Sequence, residues 1–163
     1  MITRINIKNK DDYIWLIEFI SQNFDSDFYV TENNSRIYIR TVKDLKVLFK
    51  NTIVMNGLKV DGEYAGFVLI WKSYGGDKKR YYVKLLANDE HIAGNLLKCL
   101  LWNYNWNLYT KISKTHKFIT VFKKSGFKFA GGRGRQLLLK RDKMKDKIPI
   151  RKEEEEYNGT YTK

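Results

Sequence analysis

Few residues in this chain have the chemistry to do more than pack. Two histidines, one cysteine and a scatter of carboxylates and lysines are the candidates. His91 stands in the run Asn88-Asp89-Glu90-His91-Ile92-Ala93-Gly94, just ahead of an apolar helical stripe. The start of a helix leaves backbone N–H groups unpaired, and these together with the dipole attract anions. His91 there fits a phosphate contact or a general base, or equally a solvated residue of a first helical turn. His116 poses the same choice with less around it. Cys99 sits beside a leucine stripe and reads as a small core residue rather than a nucleophile, since no Cys/His/Asp triad accompanies it. One cysteine with two histidines cannot build a zinc centre, so no metal site is expected. Trp102, Tyr104, Trp106 and Tyr109 could stack on bases or an acyl group, but a helix end packing on a sheet accounts for them more simply. Gly131-Gly132-Arg133-Gly134-Arg135 could grip phosphate or RNA; a glycine-rich hairpin with exposed arginines is the plainer reading. Lys78-Lys79-Arg80 belongs to the same basic character.

The chain has 163 residues, enough for one ordinary domain. Its 31 Lys/Arg against 18 Asp/Glu give a net charge of +13, which favours an anionic partner over a cationic one. Residues 1–60 carry nine basic and seven acidic side chains, so nearly all of the excess lies beyond them. Hydrophobic residues make up 43%, as in a chain with a single core, and the aromatic share of 15% supplies large packing groups. No apolar run approaches bilayer length, and the N-terminus alternates rather than forming a signal-peptide core. A soluble, cytoplasmic protein without membrane contact is expected. Composition changes after Lys140 to a charged, polar tail, so the expected organisation is one domain over residues 1–142 and a disordered or partner-ordered tail over 143–163.

Periodicity supplies the elements that would position these groups. A short strand opens the chain. Asp11-Asp12 begin a helix whose Tyr13, Leu16, Ile17 and Ile20 share one face. Arg36 to Arg40 reads as a strand, and Thr41 caps a helix from Val42 to Lys50 with Leu45, Leu48 and Phe49 on one side. Thr52–Val60 and Tyr64–Lys72 are strands joined by Asp61-Gly62, a hairpin signal; a second turn at 74–77 leads to a strand from Arg80 to Ala87. Asn88 or Asp89 then caps a helix to about Asn103, buried through Ile92, Leu96, Leu97, Leu100 and Leu101. Leu108–Ile112 reads as a strand, Lys114–Lys124 as a helix ended by Gly126, and Phe127–Phe129 with Gln136–Lys140 as closing strands. The fold class is mixed α/β with α+β character: a mostly antiparallel, twisted sheet with helices on both faces.

From Tyr64 to Lys140 this order, and several residues in it, resemble the GCN5-related N-acetyltransferase (GNAT) family. Asp61-Gly62-Glu63-Tyr64-Ala65-Gly66-Phe67 resembles that family's hairpin entering its fourth strand, with Gly66 at the usual glycine. Tyr82 to Ala87 resembles the next strand, which splays from a neighbour to admit the acyl-CoA arm. Lys123-Lys124-Ser125-Gly126-Phe127 matches the family's closing K-x-G-F. The resemblance implies an acyl-CoA N-acyltransferase-like fold. It also implies acetyl-CoA as cofactor, held by the backbone of Leu85, Leu86 and Ala87 and by the turn His91, Ile92, Ala93 and Gly94. Acetyl-CoA is expected between the strands ending at Trp71 and Ala87, with an amine attacking its thioester directly.

Two departures from the family pattern stand out. Its phosphate-cradling loop, R/Q-x-x-G-x-G/A, reads Asn88-Asp89-Glu90-His91-Ile92-Ala93 here, so two carboxylates and a histidine lie where pyrophosphate would be held. The tyrosine that many members use to protonate the leaving thiolate is Phe122, which has no proton to give, and the family's asparagine in that helix is Thr115. No catalytic base is singled out among Glu63, Asp89, Glu90 and His91. Two functions follow. One is acetyl transfer from acetyl-CoA to an amine. The other is a catalytically inactive module of the same fold that binds an anionic macromolecule or a protein assembly, such as a viral or phage component carried in a virion or bound to nucleic acid.

Overall fold

The computed structural model describes residues 1–75 and 78–144. Strand β1 (Ile2–Arg4) is followed by a short 3-10 turn and helix α1 (Tyr13–Gln22); a small hairpin, β2 (Val30–Glu32) and β3 (Ser35–Ile37), leads to α2 (Val42–Lys50). The centre is an antiparallel meander, β4 (Thr52–Val60), β5 (Glu63–Gly75) and β6 (Lys78–Ala87). Then come α3 (Glu90–Asn103), β7 (Leu108–Ser113), α4 (Ile119–Lys124), β8 (Lys128–Arg133) and β9 (Gln136–Arg141). Among the described residues the main sheet has seven strands in the order β1-β4-β5-β6-β7-β9-β8. The mixed α/β class and the mostly antiparallel sheet are as the sequence predicts.

Both faces of the sheet are covered, and this explains why Ala65 to Trp71 is an unbroken apolar run rather than an alternating one. Val68 and Ile70 join Leu96, Leu97 and Leu100 of α3 on one face, while Phe67, Leu69 and Trp71 join Leu16 of α1 and Leu45 and Leu48 of α2 on the other. Local signals fix the ends. Thr41 accepts from the Asp44 amide and the Asp44 carboxylate accepts from the Thr41 amide, a complete capping box for α2. Asp61 and Gly62 take φ of 52° and 81°, the left-handed pair that a tight hairpin needs. Gly66 is fixed by proximity: a Cβ there would lie 2.8 Å from the Leu86 carbonyl oxygen and 3.0 Å from the Ala87 Cα.

Several expectations need correction. The hairpin expected to enter a fourth strand enters the third strand of the main sheet. The helix expected from Lys114 is confined to Ile119–Lys124, because the Phe118 amide donates to His116 Nδ1 at 3.0 Å and holds the preceding residues in a turn. The Asn33-Asn34 turn, at φ of 51° and 64°, closes a hairpin of which only the second strand was expected. Of the turn expected at 74–77, Tyr74 and Gly75 instead belong to β5, paired with Lys79 and Lys78, while 76 and 77, with most of the expected tail, lie outside the described residues. At the tail's start the Lys143 amide donates to Asn107 Oδ1 at 2.6 Å and the Met144 amide to Asn105 Oδ1 at 2.9 Å.

Candidate active site

The sheet is interrupted at one seam. Strands β5 and β6 are paired continuously from Gly66↔Ala87 to Gly75↔Lys78. The expected opening between the strands ending at Trp71 and Ala87 is therefore closed by hydrogen bonds. The opening lies on the other side of β6. There β6 and β7 run parallel and pair only at Tyr81↔Leu108 and Tyr82↔Tyr109 before diverging. At the point of divergence Thr110 Oγ1 donates to the Val83 carbonyl at 3.0 Å.

That bond also sets which backbone groups are available. Successive residues of a strand turn their N–H and C=O groups to opposite edges. The Val83 carbonyl faces β7, so the backbone of Leu85 and Ala87 faces the opening, while that of Leu86 faces β5. The Asn88 amide confirms the alternation by donating to the Ala65 carbonyl on β5 at 2.8 Å. Of the three residues expected to pair with an acyl-CoA arm, Leu85 and Ala87 present free polar groups to the seam, and Leu86 does not.

Helix α3 begins directly above this edge. Asp89 is its N-cap: Asp89 Oδ1 accepts from the Ile92 amide at 2.8 Å, and the Asp89 carbonyl accepts from the Ala93 amide at 3.1 Å. These bonds engage the amides of two residues expected to hold phosphate and leave those of Glu90 and His91 at the helix mouth. His91 is exposed, with Nε2 3.3 Å from Asn95 Nδ2. A Cβ on Gly94 would meet nothing within 4 Å, so the surface there is open. Asp89 and Glu90 are exposed as well, and their charges oppose an anion at the mouth.

A cavity lies at the seam, and its lining includes Asp25, Asp27, Trp71, Lys84, His116 and Phe122. Loop residues after α1 form one wall. Asp25 Oδ1 accepts from the Asp27 amide at 2.8 Å, and Asp27 Oδ2 accepts from the Ser113 amide at 2.8 Å, tying this loop to the end of β7. His116 is buried and lies 2.6 Å through Nε2 from Asp25 Oδ2. Because His116 Nδ1 accepts from the Phe118 amide, Nε2 carries the proton and donates to Asp25. Burial raises the Asp25 carboxyl, but the His116 hydrogen bond, with the Asp27 amide, outweighs it and holds the carboxyl below its usual range.

Lys84 enters from β6. Its ammonium donates to the Tyr29 carbonyl and lies 5.1 Å from the Trp71 ring centre. Burial, with Lys111 nearby, lowers its pKa from 10.5 to about 7. Phe122 is fully buried at the cavity wall and offers no proton.

The sequence placed most weight on His91, which the fold leaves on the surface, and less on His116, which it brings into the cavity. Glu63 is exposed at the first position of β5 and does not line the cavity. Asp25, Asp27 and Lys84 were not singled out from the sequence. Their only signal was charge inside apolar, strand-like surroundings. Cys99 is buried with its thiol pKa pushed up by burial, as suits a core residue. Tyr104 and Trp106 pack edge to face with ring centres 5.1 Å apart, and Arg4 donates to the Tyr104 hydroxyl, so these aromatics close the helix end against the sheet. No described helix is long and apolar enough to cross a membrane.

No protein-family model matches the chain, and no curated protein matches it by sequence. Solved structures do match by shape. A GNAT-family acetyltransferase from Streptococcus pneumoniae superposes with a TM-score of 0.60 at 14% identity, over 86% of this chain and 97% of that one. Ribosomal-protein-alanine N-acetyltransferase from Brucella melitensis gives 0.61 at 14%, over 86% and 96%. The PaiA N-acetyltransferase from Thermoplasma acidophilum, solved with coenzyme A, gives 0.57 at 14%, over 87% and 98%. Likeness at these identities establishes architecture, and by architecture this chain has the acyl-CoA N-acyltransferase fold of the GNAT proteins.

Proposed function

We propose that the protein is an acetyl-CoA-dependent N-acetyltransferase acting on a small amine. The observation that carries this reading is the β6/β7 seam, where β6 leaves the backbone of Leu85 and Ala87 unpaired and Leu85 lines a cavity. Leu85 and Ala87 suit the amide-bearing arm of acetyl-CoA, which would add to β6 as a further strand does. The free amides of Glu90 and His91 suit its phosphates, against the opposing charge of Asp89 and Glu90. Bound acetyl-CoA would supply the activated acyl thioester. The chain's own part is positional, since holding amine and thioester in line removes most of the entropic barrier. Tyr29, Trp71 and Tyr82 wall the acceptor side and exclude water. Asp25 and His116 brace the loop that closes it. Phe122 gives no proton, so the thiolate leaves without a protein acid.

Calorimetric titration with acetyl-CoA tests this reading. A single site with micromolar to sub-millimolar affinity supports it. An absence of binding at millimolar concentration removes it and leaves the inactive-module reading, with its anionic macromolecular or assembly partner.

A further inference from the structure

The cavity holds a cation without a counter-charge. Among the described residues Lys84 makes no ion pair: its ammonium has one acceptor, the Tyr29 carbonyl, and lies over the rings of Tyr29 and Trp71. Its charged neighbour is Lys111, which is of the same sign and whose ammonium lies over the Tyr82 ring. Beneath it, the Trp71 indole N–H is buried and has no acceptor, although Trp71 is only 5% exposed. A buried donor left unmade is costly, and such a group calls for a partner such as ordered water or a ligand. Two donors therefore line one cavity, one with a single acceptor from the chain and one with none.

The same lining also carries the opposite charge. Asp25 and Asp27 bring two carboxylates to the same cavity, so its lining balances Asp25 and Asp27 against Lys84 and Lys111. A polyamine or a polyanion would leave one of these charge types unmatched. A zwitterion matches both. Resting on the acetyltransferase reading above, we propose that the acceptor is an α-amino acid or a close relative, its carboxylate received by Lys84 Nζ and Trp71 Nε1 and its amine directed to the seam. Tyr29, Trp71 and Tyr82 line the same cavity and offer aromatic faces to an apolar side chain. The reaction balances simply: the uncharged amine attacks the thioester carbon, the C–N bond forms, the C–S bond breaks, and the amine proton passes to solvent while coenzyme A leaves as thiolate.

The depressed Lys84 pKa agrees with this assignment, since a carboxylate would restore the stability of the charged form. The groups facing Lys84 are Tyr29 and the Asp25–Asp27 loop after α1, Trp71 of β5, Tyr82 of β6, and Lys111 of β7 with His116 beyond it. Of these, Lys111 opposes its protonation.

The test uses the full chain and a panel of apolar α-amino acids, each beside its decarboxylated amine and its amide; leucine, isoamylamine and leucinamide form one set. Direct binding is read by calorimetry and transfer by release of coenzyme A thiol. At least one amino acid is expected to bind, and to be acetylated, at least tenfold better than its amine and amide. Lys84→Met should abolish that preference while leaving acetyl-CoA affinity within about twofold. Lys84→Arg should keep it, because arginine retains the charge but cannot act as a base. Trp71→Phe, which keeps the ring and loses the N–H, should weaken the amino acid severalfold and the amine little. Amines preferred equally or better, a preference that survives Lys84→Met, or an amino-acid panel that does not bind would each overturn the proposal. If Lys84→Arg is as inactive as Lys84→Met and the rate gains a limb near pH 7 in the parent chain, Lys84 is a base and the carboxylate role falls. Because amino-acid binding is measured without acetyl-CoA, it decides this proposal even where the acetyltransferase reading fails.

Discussion

Thr110 and Val83 are joined across the seam by a side-chain hydroxyl, donating to a main-chain carbonyl at 3.0 Å, where backbone pairing between β6 and β7 ends. Thr110 is 2% exposed, so this bond is made out of water. Thr110→Val keeps the shape and leaves the Val83 carbonyl unpaired, which should cost about 1–3 kcal/mol. Denaturant unfolding checks it; a change below about 0.3 kcal/mol would mean that the carbonyl is satisfied in another way.

Phe127 follows the left-handed Gly126 (φ 94°) and is 2% exposed, with its ring edge to face with Phe122 at 5.2 Å between centres. Phe127→Ala should therefore cost about 3–5 kcal/mol. A loss below about 1 kcal/mol by the same measurement would contradict its place in the core.

Asp89 and Glu90 should limit acetyl-CoA affinity by opposing the phosphates at the mouth of α3. Asparagine caps a helix about as well as aspartate, so Asp89→Asn with Glu90→Gln should remove charge without loosening α3. Binding should tighten several-fold at low salt, with the gain shrinking as ionic strength rises. Unchanged affinity at low salt would place the phosphates elsewhere.

Lys84 links stability to pH. Its pKa is about 7 in the folded chain against an ordinary 10.5, so between those values the unfolded chain binds the extra proton. Stability from this group thus rises as pH goes from about 7 to about 10, and its penalty is fully present below 7. Lys84→Met should stabilise the chain at neutral pH by about 1–3 kcal/mol and flatten that rise. Parallel slopes for parent and variant across that window, in thermal unfolding, would sink the assignment.

Much of the fold was legible because the informative signals are local. Thr41 and Asp44 lie three residues apart, Asp61-Gly62 is contiguous, and the stripe from Ile92 to Leu101 repeats within one helix. The position of the seam was not legible. It depends on β6 meeting β7 across α3, and no local pattern says which edge of a strand stays unpaired. The cavity was harder still: Asp25, Lys84 and His116 come from three distant segments, and nothing in the spacing joins them. His91 drew attention through its place beside a helix start, which the fold leaves facing solvent. The expectation of a longer helix from Lys114 failed because His116 uses its ring to hold the Phe118 amide, a bond that propensity does not register.

Amide hydrogen exchange along β6, with and without acetyl-CoA, tests the central claim most directly. If acetyl-CoA adds to the open edge of β6, protection should rise at least tenfold at Leu85 and Ala87. It should change little at Leu86, whose backbone already faces β5. Protection that is absent from Leu85 and Ala87 at saturating acetyl-CoA, or spread equally over all three, would contradict the account.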